Sequence, residues 1–253
     1  METDENKSGQ TGQKATILLP DIDWVEIPAG EFLYGDEREK RYLDSFQISR
    51  YPVTNAQYQT FILAGGYESD EWWEGLKKPG RLVSEWDQPN RPRTNVDWYE
   101  AVAFSRWLTV MLNQPVRLPT EEEWEKAARG SDGWVFPWGE KYINGYANVD
   151  ESFEDGDGLK ETTSVGLYPQ GASSYGVMDM AGNVWEWCLN KGDHPDQIEA
   201  DISGDSRVLR GGSWLDGQSL ARADSRSGLN PDARSRGRGG LRLLLPVSTM
   251  DNV

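Results

Sequence analysis

The chain contains one cysteine, Cys188, and one histidine, His194. One thiol gives neither an internal disulfide nor a multi-cysteine metal cage, and one imidazole gives no histidine cluster. Cys188 directly follows Trp-Glu-Trp at 185–187 and reads as a small buried hydrophobe. His194 lies in a polar stretch and is expected at the surface. The carboxylates of the C-terminal third, Asp216, Asp224 and Asp232, have no histidine to pair with and suggest no acid–base couple. Eight Arg stand against four Asp between Asp205 and Arg242, although the whole chain carries a net charge of -16. Those guanidinium groups are expected to find carboxylates elsewhere in the fold, and the overall charge argues against holding a nucleic-acid backbone.

What remains is the chemistry of contact. Residues 215–237 read Leu-Asp-Gly-Gln-Ser-Leu-Ala-Arg-Ala-Asp-Ser-Arg-Ser-Gly-Leu-Asn-Pro-Asp-Ala-Arg-Ser-Arg-Gly. Between Trp214 and Gly240 there is no Lys, Glu, Met or aromatic residue, although the chain has 12 Trp. The run reads either as an ordinary Gly/Ser-rich surface loop or as a surface free to accept many side chains. Its flanks, Met178–Trp187, Leu209–Trp214 and Gly239–Leu243, look like the framework that holds it.

The elements around that framework carry their own signals. Asp23–Gly35 alternates apolar and polar residues and reads as a strand pair. Thr54 precedes Tyr58, Phe61 and Ile62 at helical spacing, closed by Gly65-Gly66. Asp97 with Glu100 has capping-box spacing ahead of an apolar stripe of Trp98, Ala101, Val102, Leu108 and Leu112; Thr120 with Glu123 repeats it ahead of Trp124 and Ala127, up to Gly130. Beyond Gly130 turns and short strands are expected, marked by Phe136–Gly139, Asp155–Gly158 and Ser173–Gly176. With 27 Gly, 13 Pro and 12 Trp, the chain reads as loop-rich and held by aromatic anchors. Its 253 residues are ample for a core, and helices followed by irregular β suggest a single α+β domain over 21–250. Mean hydropathy is -0.71, and no window approaches the roughly 18 apolar residues that cross a bilayer. Residues 1–20 read as a disordered leader without a signal peptide, so a cytoplasmic location without membrane insertion is expected.

Val53–Tyr58, Pro92–Ala101, Arg117–Glu125, Phe136–Gly139, Ala147–Val149, Gly182–Trp187, Arg210–Trp214 and Gly240–Arg242 occur in an order that resembles the formylglycine-generating enzyme (sulfatase-modifying factor) family over roughly residues 22–245. The resemblance implies a variant of the C-type-lectin-like fold, with small antiparallel sheets, two to three helices and much irregular chain. Oxidase members hold copper with two thiolates between the Gly-Gly-Ser-aromatic motif and the final Gly-aromatic-Arg; a second branch, the iron-dependent sulfoxide synthases, uses three histidines. This chain has no cysteine in 215–239 and a single histidine, so no copper or iron is expected and the activity does not follow from the fold. The family also implies two structural calcium sites. One would use the Asn148 side chain, the Val149 carbonyl, Asp157 and the Leu159 carbonyl. The other would use Asp179, the carbonyls of Gly182 and Val184, and Glu186; all are oxygen donors of the kind a hard cation prefers. Beside these, Asp150–Asp157 can be a solvated acidic turn and Glu186 a buried acceptor for backbone amides.

The 215–237 run resembles the variable region of proteins diversified by retroelements, where Asn codons copied by an adenine-mutating reverse transcriptase become Leu, Asp, Gly, Ser, Ala or Arg. Leu215, Asp216, Gly217, Ser219, Leu220, Ser225, Ser227, Gly228, Leu229, Ala233, Ser235, Arg236 and Gly237 fit that set. Ala221-Arg222-Ala223, Arg226, Asn230-Pro231-Asp232 and Arg234 look like invariant scaffold between them. The expectation is a non-catalytic, monomeric ligand-binding protein whose partner is an unidentified protein or other macromolecule, not nucleic acid. Without an aromatic at the thirteen positions, weak affinity is expected. Two alternatives stand beside it: an oxidoreductase or accessory enzyme of the family with a non-cysteine site, and a purely structural interaction module.

Overall fold

Three capping boxes start three α-helices. In the first, Thr54 accepts from the Gln57 amide while the Gln57 side chain accepts from the Thr54 amide, and α1 runs Asn55–Leu63. Asp97 and Glu100 repeat the exchange ahead of α2, Trp98–Leu112, as do Thr120 and Glu123 ahead of α3, Glu121–Arg129. Each box satisfies amide donors that a helix start otherwise leaves open. The computed structural model describes residues 18–151 and 158–247. The expected leader over 1–20 therefore falls largely outside the described residues, within which Pro20 is already buried. Among the described residues no α-helix follows Gly130, and no helix is long and apolar enough to cross a membrane.

Asp23–Gly35 does hold two strands, but they do not pair with each other. β1 (Trp24–Ile27) pairs antiparallel with β4 (Phe46–Ser49), and β2 (Gly30–Tyr34) with β3 (Glu39–Leu43). The corner between β1 and β2 is held from outside instead: the buried Lys126 ammonium of α3 donates to the Pro28 carbonyl at 2.7 Å and the Gly30 carbonyl at 3.1 Å. Pro28 has no N–H with which to continue a ladder. β9 (Leu244–Pro246) joins the far side of β4 and completes a three-stranded sheet.

The second half builds a four-stranded sheet in the order β7 (Arg226–Leu229), β6 (Arg207–Arg210), β5 (Trp185–Lys191), β8 (Gly239–Gly240), with β8 parallel to β5. All seven residues of β5 are buried. Tryptophan ties this sheet to the helices. Trp98 Nε1 donates to the Cys188 carbonyl at 2.9 Å, and Trp187 Nε1 donates to the Val96 carbonyl at 3.2 Å. Trp98, Trp107, Trp124 and Trp187 are among the largest fully buried side chains. Each joins apolar packing to a satisfied ring N–H or a neighbouring ring. The large core therefore lies between α2, β5 and the end of the chain, with a second cluster around Ile27, Ile48, Trp124 and Val208.

Candidate ligand-binding face

The chain leaves β6 through Gly211 (φ +97°) and Gly212 (φ +73°). A Cβ on Gly212 would lie 2.8 Å from the Leu220 carbonyl oxygen, so the turn can close only on glycine. Ser213 is fully buried, and the Trp214 ring meets Trp86 edge-on at 5.1 Å while its Nε1 donates to the Gly237 carbonyl at 3.2 Å. Residues 215–237 thus start and finish at one indole. Between those ends the chain makes a short 3-10 turn at Gln218–Leu220, forms the edge strand β7, and returns past the start of α2.

Most of the expected scaffold residues are anchored. Ala221 and Ala223 are fully buried, and the Ala223 amide donates to the Val135 carbonyl at 2.8 Å. Arg222 links Asp224 at 2.7 Å to Asp36 at 3.0 Å. Arg226 reaches Glu121 of α3 at 2.6 Å, and the Pro231 carbonyl accepts from the first amide of α2 at 2.9 Å. Arg234 lies 2.8 Å from Glu100 and 3.7 Å from Asp97, inside the capping box of α2. Asp232, itself exposed, pairs with Lys77 at 2.6 Å. Asn230 is exposed. Burial, reinforced by the Glu100 charge, pushes the Asp97 carboxyl up to about 7. Six of the eight arginines between 205 and 242 have found carboxylates, as the sequence suggested; among the described residues Arg236 and Arg238 form no ion pair.

Ten of the thirteen candidate contact positions fall into three settings. Leu215, Ser219 and Leu220 are exposed and Gly217 half-buried; Gly217 and Ser219 line a cavity of about 330 Å³ with Tyr142 and Glu151. Ser225, Ser227 and Gly228 lie in or beside β7, with Gly228 exposed. Ala233 and Ser235 are half-buried, and Arg236 is exposed. The other three positions also make contacts within the fold. Asp216 accepts from Trp185 Nε1 at 2.8 Å and from the Ser213 hydroxyl. Leu229 packs against the large core. Gly237 is buried at φ +74°, donates to Asn95 Oδ1 at 2.8 Å, and has no room for a Cβ, which would lie 2.7 Å from Glu85 Oε2. Glu85, Trp86, Asn95, Tyr142 and Glu151 border the segment from far away in sequence. Only the tryptophan in a polar stretch offered a signal.

The expected calcium donors divide. Asn148 is buried, its amide donating to the Glu161 carbonyl at 2.9 Å, and the chain folds back so that a Cβ on Gly158 would lie 3.4 Å from the Val149 carbonyl oxygen. Asn148, Val149 and the approach to Leu159 are thus in one place, while Asp157 lies outside the described residues. In the second set, Asp179 adopts φ +57° and accepts from the Gly166 amide at 2.7 Å; removal from water raises its carboxyl to about 6. The Gly182 carbonyl accepts from the Val184 amide at 2.9 Å. Glu186 already has side-chain partners. Arg242 donates to both its oxygens at 2.8 Å, and Trp124 Nε1 donates to it at 2.6 Å. Its charge is met by a guanidinium, not by backbone amides.

Cys188 is fully buried, and burial holds its thiol well above its ordinary range; His194 is exposed. One thiol and one imidazole do not by themselves make a two-thiolate or three-histidine centre.

The helices, small sheets and irregular second half make an α+β domain with the C-type-lectin-like fold. The profile of the family described as sulfatase-modifying factor enzyme 1-like domain matches residues 12–246, and the chain belongs to that family. It is 32% identical to hercynine oxygenase of Mycolicibacterium smegmatis over 90% of this chain, spanning only 60% of that relative's length. It is 30% identical to inactive C-alpha-formylglycine-generating enzyme 2 of Bos taurus, with 85% of each chain covered. The solved structure of Treponema denticola variable protein 1 superposes with a TM-score of 0.67 and 22% identity over 94% of this chain and 100% of that one, a likeness of fold.

Proposed function

We propose that this protein is a non-catalytic binding protein whose contact face is the exposed part of residues 215–237, varied by a retroelement while its scaffold stays constant. The observation that carries this reading is the interleaving itself. Ala221, Ala223, Arg226 and Arg234 are buried or bound to carboxylates of α2 and α3, whereas Leu215, Ser219, Leu220, Gly228 and Arg236 between them are exposed. A rigid frame carrying replaceable side chains is how loop-based binders work. The fold shared with a variable protein, and a family relative named inactive, support the same reading. The family also includes named oxygenases; this chain's single cysteine and single histidine leave it without their donor sets.

Two experiments test the proposal. The encoding DNA is expected to lie beside a near-repeat of its 3′ segment, differing only at adenines, and beside a reverse transcriptase gene. Direct-binding screens against surface proteins are expected to give a partner whose affinity changes when the exposed positions are exchanged; a tight complex made wholly outside 215–237 contradicts the assignment. Calcium at the Asn148–Leu159 site belongs to the same proposal as a brace for the loop beneath Gly217. EGTA is expected to lower the melting temperature, because an ion bound only to the folded chain stabilises it by mass action, and an unchanged melt counts against that site.

A further inference from the structure

Five arginines are buried: Arg93, Arg129, Arg207, Arg210 and Arg242. Four have a carboxylate partner, Arg129 and Arg210 on Glu125, Arg207 on Asp201, and Arg242 on Glu186. Arg93, only 6% exposed, has none among the described residues. It donates to the Leu82 carbonyl, its Nε has no partner, and its guanidinium carbon lies 4.8 Å from the centre of the Tyr58 ring. An unpaired buried cation is unfavourable unless something else meets its charge.

Arg93 lines a cavity of about 440 Å³ beside α1, within the size range of small-molecule sites. Leu63 and Val83 share the lining and are 77% and 70% exposed, and Leu18 adds a third apolar wall. Single exposed apolar residues are ordinary; here three stand around one cavity with an unpaired guanidinium. We propose that this cavity binds a small aliphatic monocarboxylate, its carboxylate on the Arg93 guanidinium and its chain along Leu63 and Val83. A carboxylate would meet the charge that no side chain among the described residues meets. Asp87, exposed in the same lining, disfavours a second negative charge on the ligand. The cavity shares no lining residue with the 215–237 face, so this site is independent of the function proposed above.

Titration calorimetry of the full chain with octanoate is the test, with octanol and suberate as uncharged and dianionic controls. Octanoate is expected to bind saturably at one site and more than about tenfold tighter than either control. Arg93→Met removes an unpaired charge, is expected to stay folded, and should lose that preference. Should it not fold, Val83→Glu at an exposed position is expected to weaken octanoate more than octanol. Absence of saturable octanoate binding, equal affinity for octanol, or a preference untouched by the folded variants overturns the assignment.

Discussion

A buried arginine near the end of the chain and an exposed one within residues 215–237 obey opposite rules. Arg242 places all five of its N–H groups: on Glu186 twice, and on the carbonyls of Ser49, Arg50 and Met178. It thereby joins β4, the 178–186 chain and the C-terminal segment at one point. Arg236, six residues earlier, is exposed and forms no ion pair among the described residues. Both are arginine, so residue type does not separate frame from face. Burial and the count of fixed partners do, and substitution should therefore expose the boundary.

The largest effect is expected at Arg242. Arg242→Ala leaves Glu186 buried without its cation and is expected to destabilise the fold by about 3–5 kcal/mol, read by chemical denaturation. Arg242→Lys keeps a charge but not the five-donor fork, and should fall between the two. A loss below about 1 kcal/mol would place Arg242 with the replaceable residues.

Arg234→Ala tests the next tie. It strips the cation from Glu100, which is fully buried, but Arg234 is itself partly exposed, so a loss of about 2–3 kcal/mol is expected. The neighbouring Asp97 adds a pH signature. Its carboxyl is raised to about 7 against an ordinary value near 4. Folding therefore favours its protonated form: the stability it contributes is present below about pH 4 and is lost as pH rises through about 7. Asn caps a helix as well as Asp, so Asp97→Asn should keep α2 and flatten the stability profile between those values. A profile of unchanged slope would show that Asp97 ionises normally.

Gly237 sharpens the comparison from the other side, since it fits the replaceable composition yet sits in the frame. Gly237→Ala is expected to destabilise by about 1–2 kcal/mol through its positive φ and the contact with Glu85 and Trp86. Gly228→Ala, at an exposed position with a free Cβ direction beyond ordinary contact with Ser206, should shift stability by less than about 0.5 kcal/mol. Equal effects at the two glycines would erase the distinction.

The frame was largely legible because its signals are local. Thr54, Asp97 with Glu100, and Thr120 with Glu123 mark helix starts within four residues, and the Ala–Arg–Ala and Asn–Pro–Asp runs stand out from the residues around them. What stayed hidden depends on long-range geometry. The alternation of Asp23–Gly35 shows two strands but not that Lys126 holds their corner and sends them to different partners. Glu186 carries the chemistry of a calcium ligand, and only the fold brings Arg242 onto it from 56 residues away. Composition likewise does not show that Asp216, Leu229 and Gly237 meet an indole N–H, the core and a tight turn.

A saturation substitution scan of residues 215–237, read by resistance of the full chain to proteolysis, tests the division most directly. Leu215, Ser219, Leu220, Gly228 and Arg236 are expected to accept most side chains, and Ala221, Ala223, Arg226 and Arg234 few. Uniform tolerance along the segment, or intolerance at the exposed five, contradicts it.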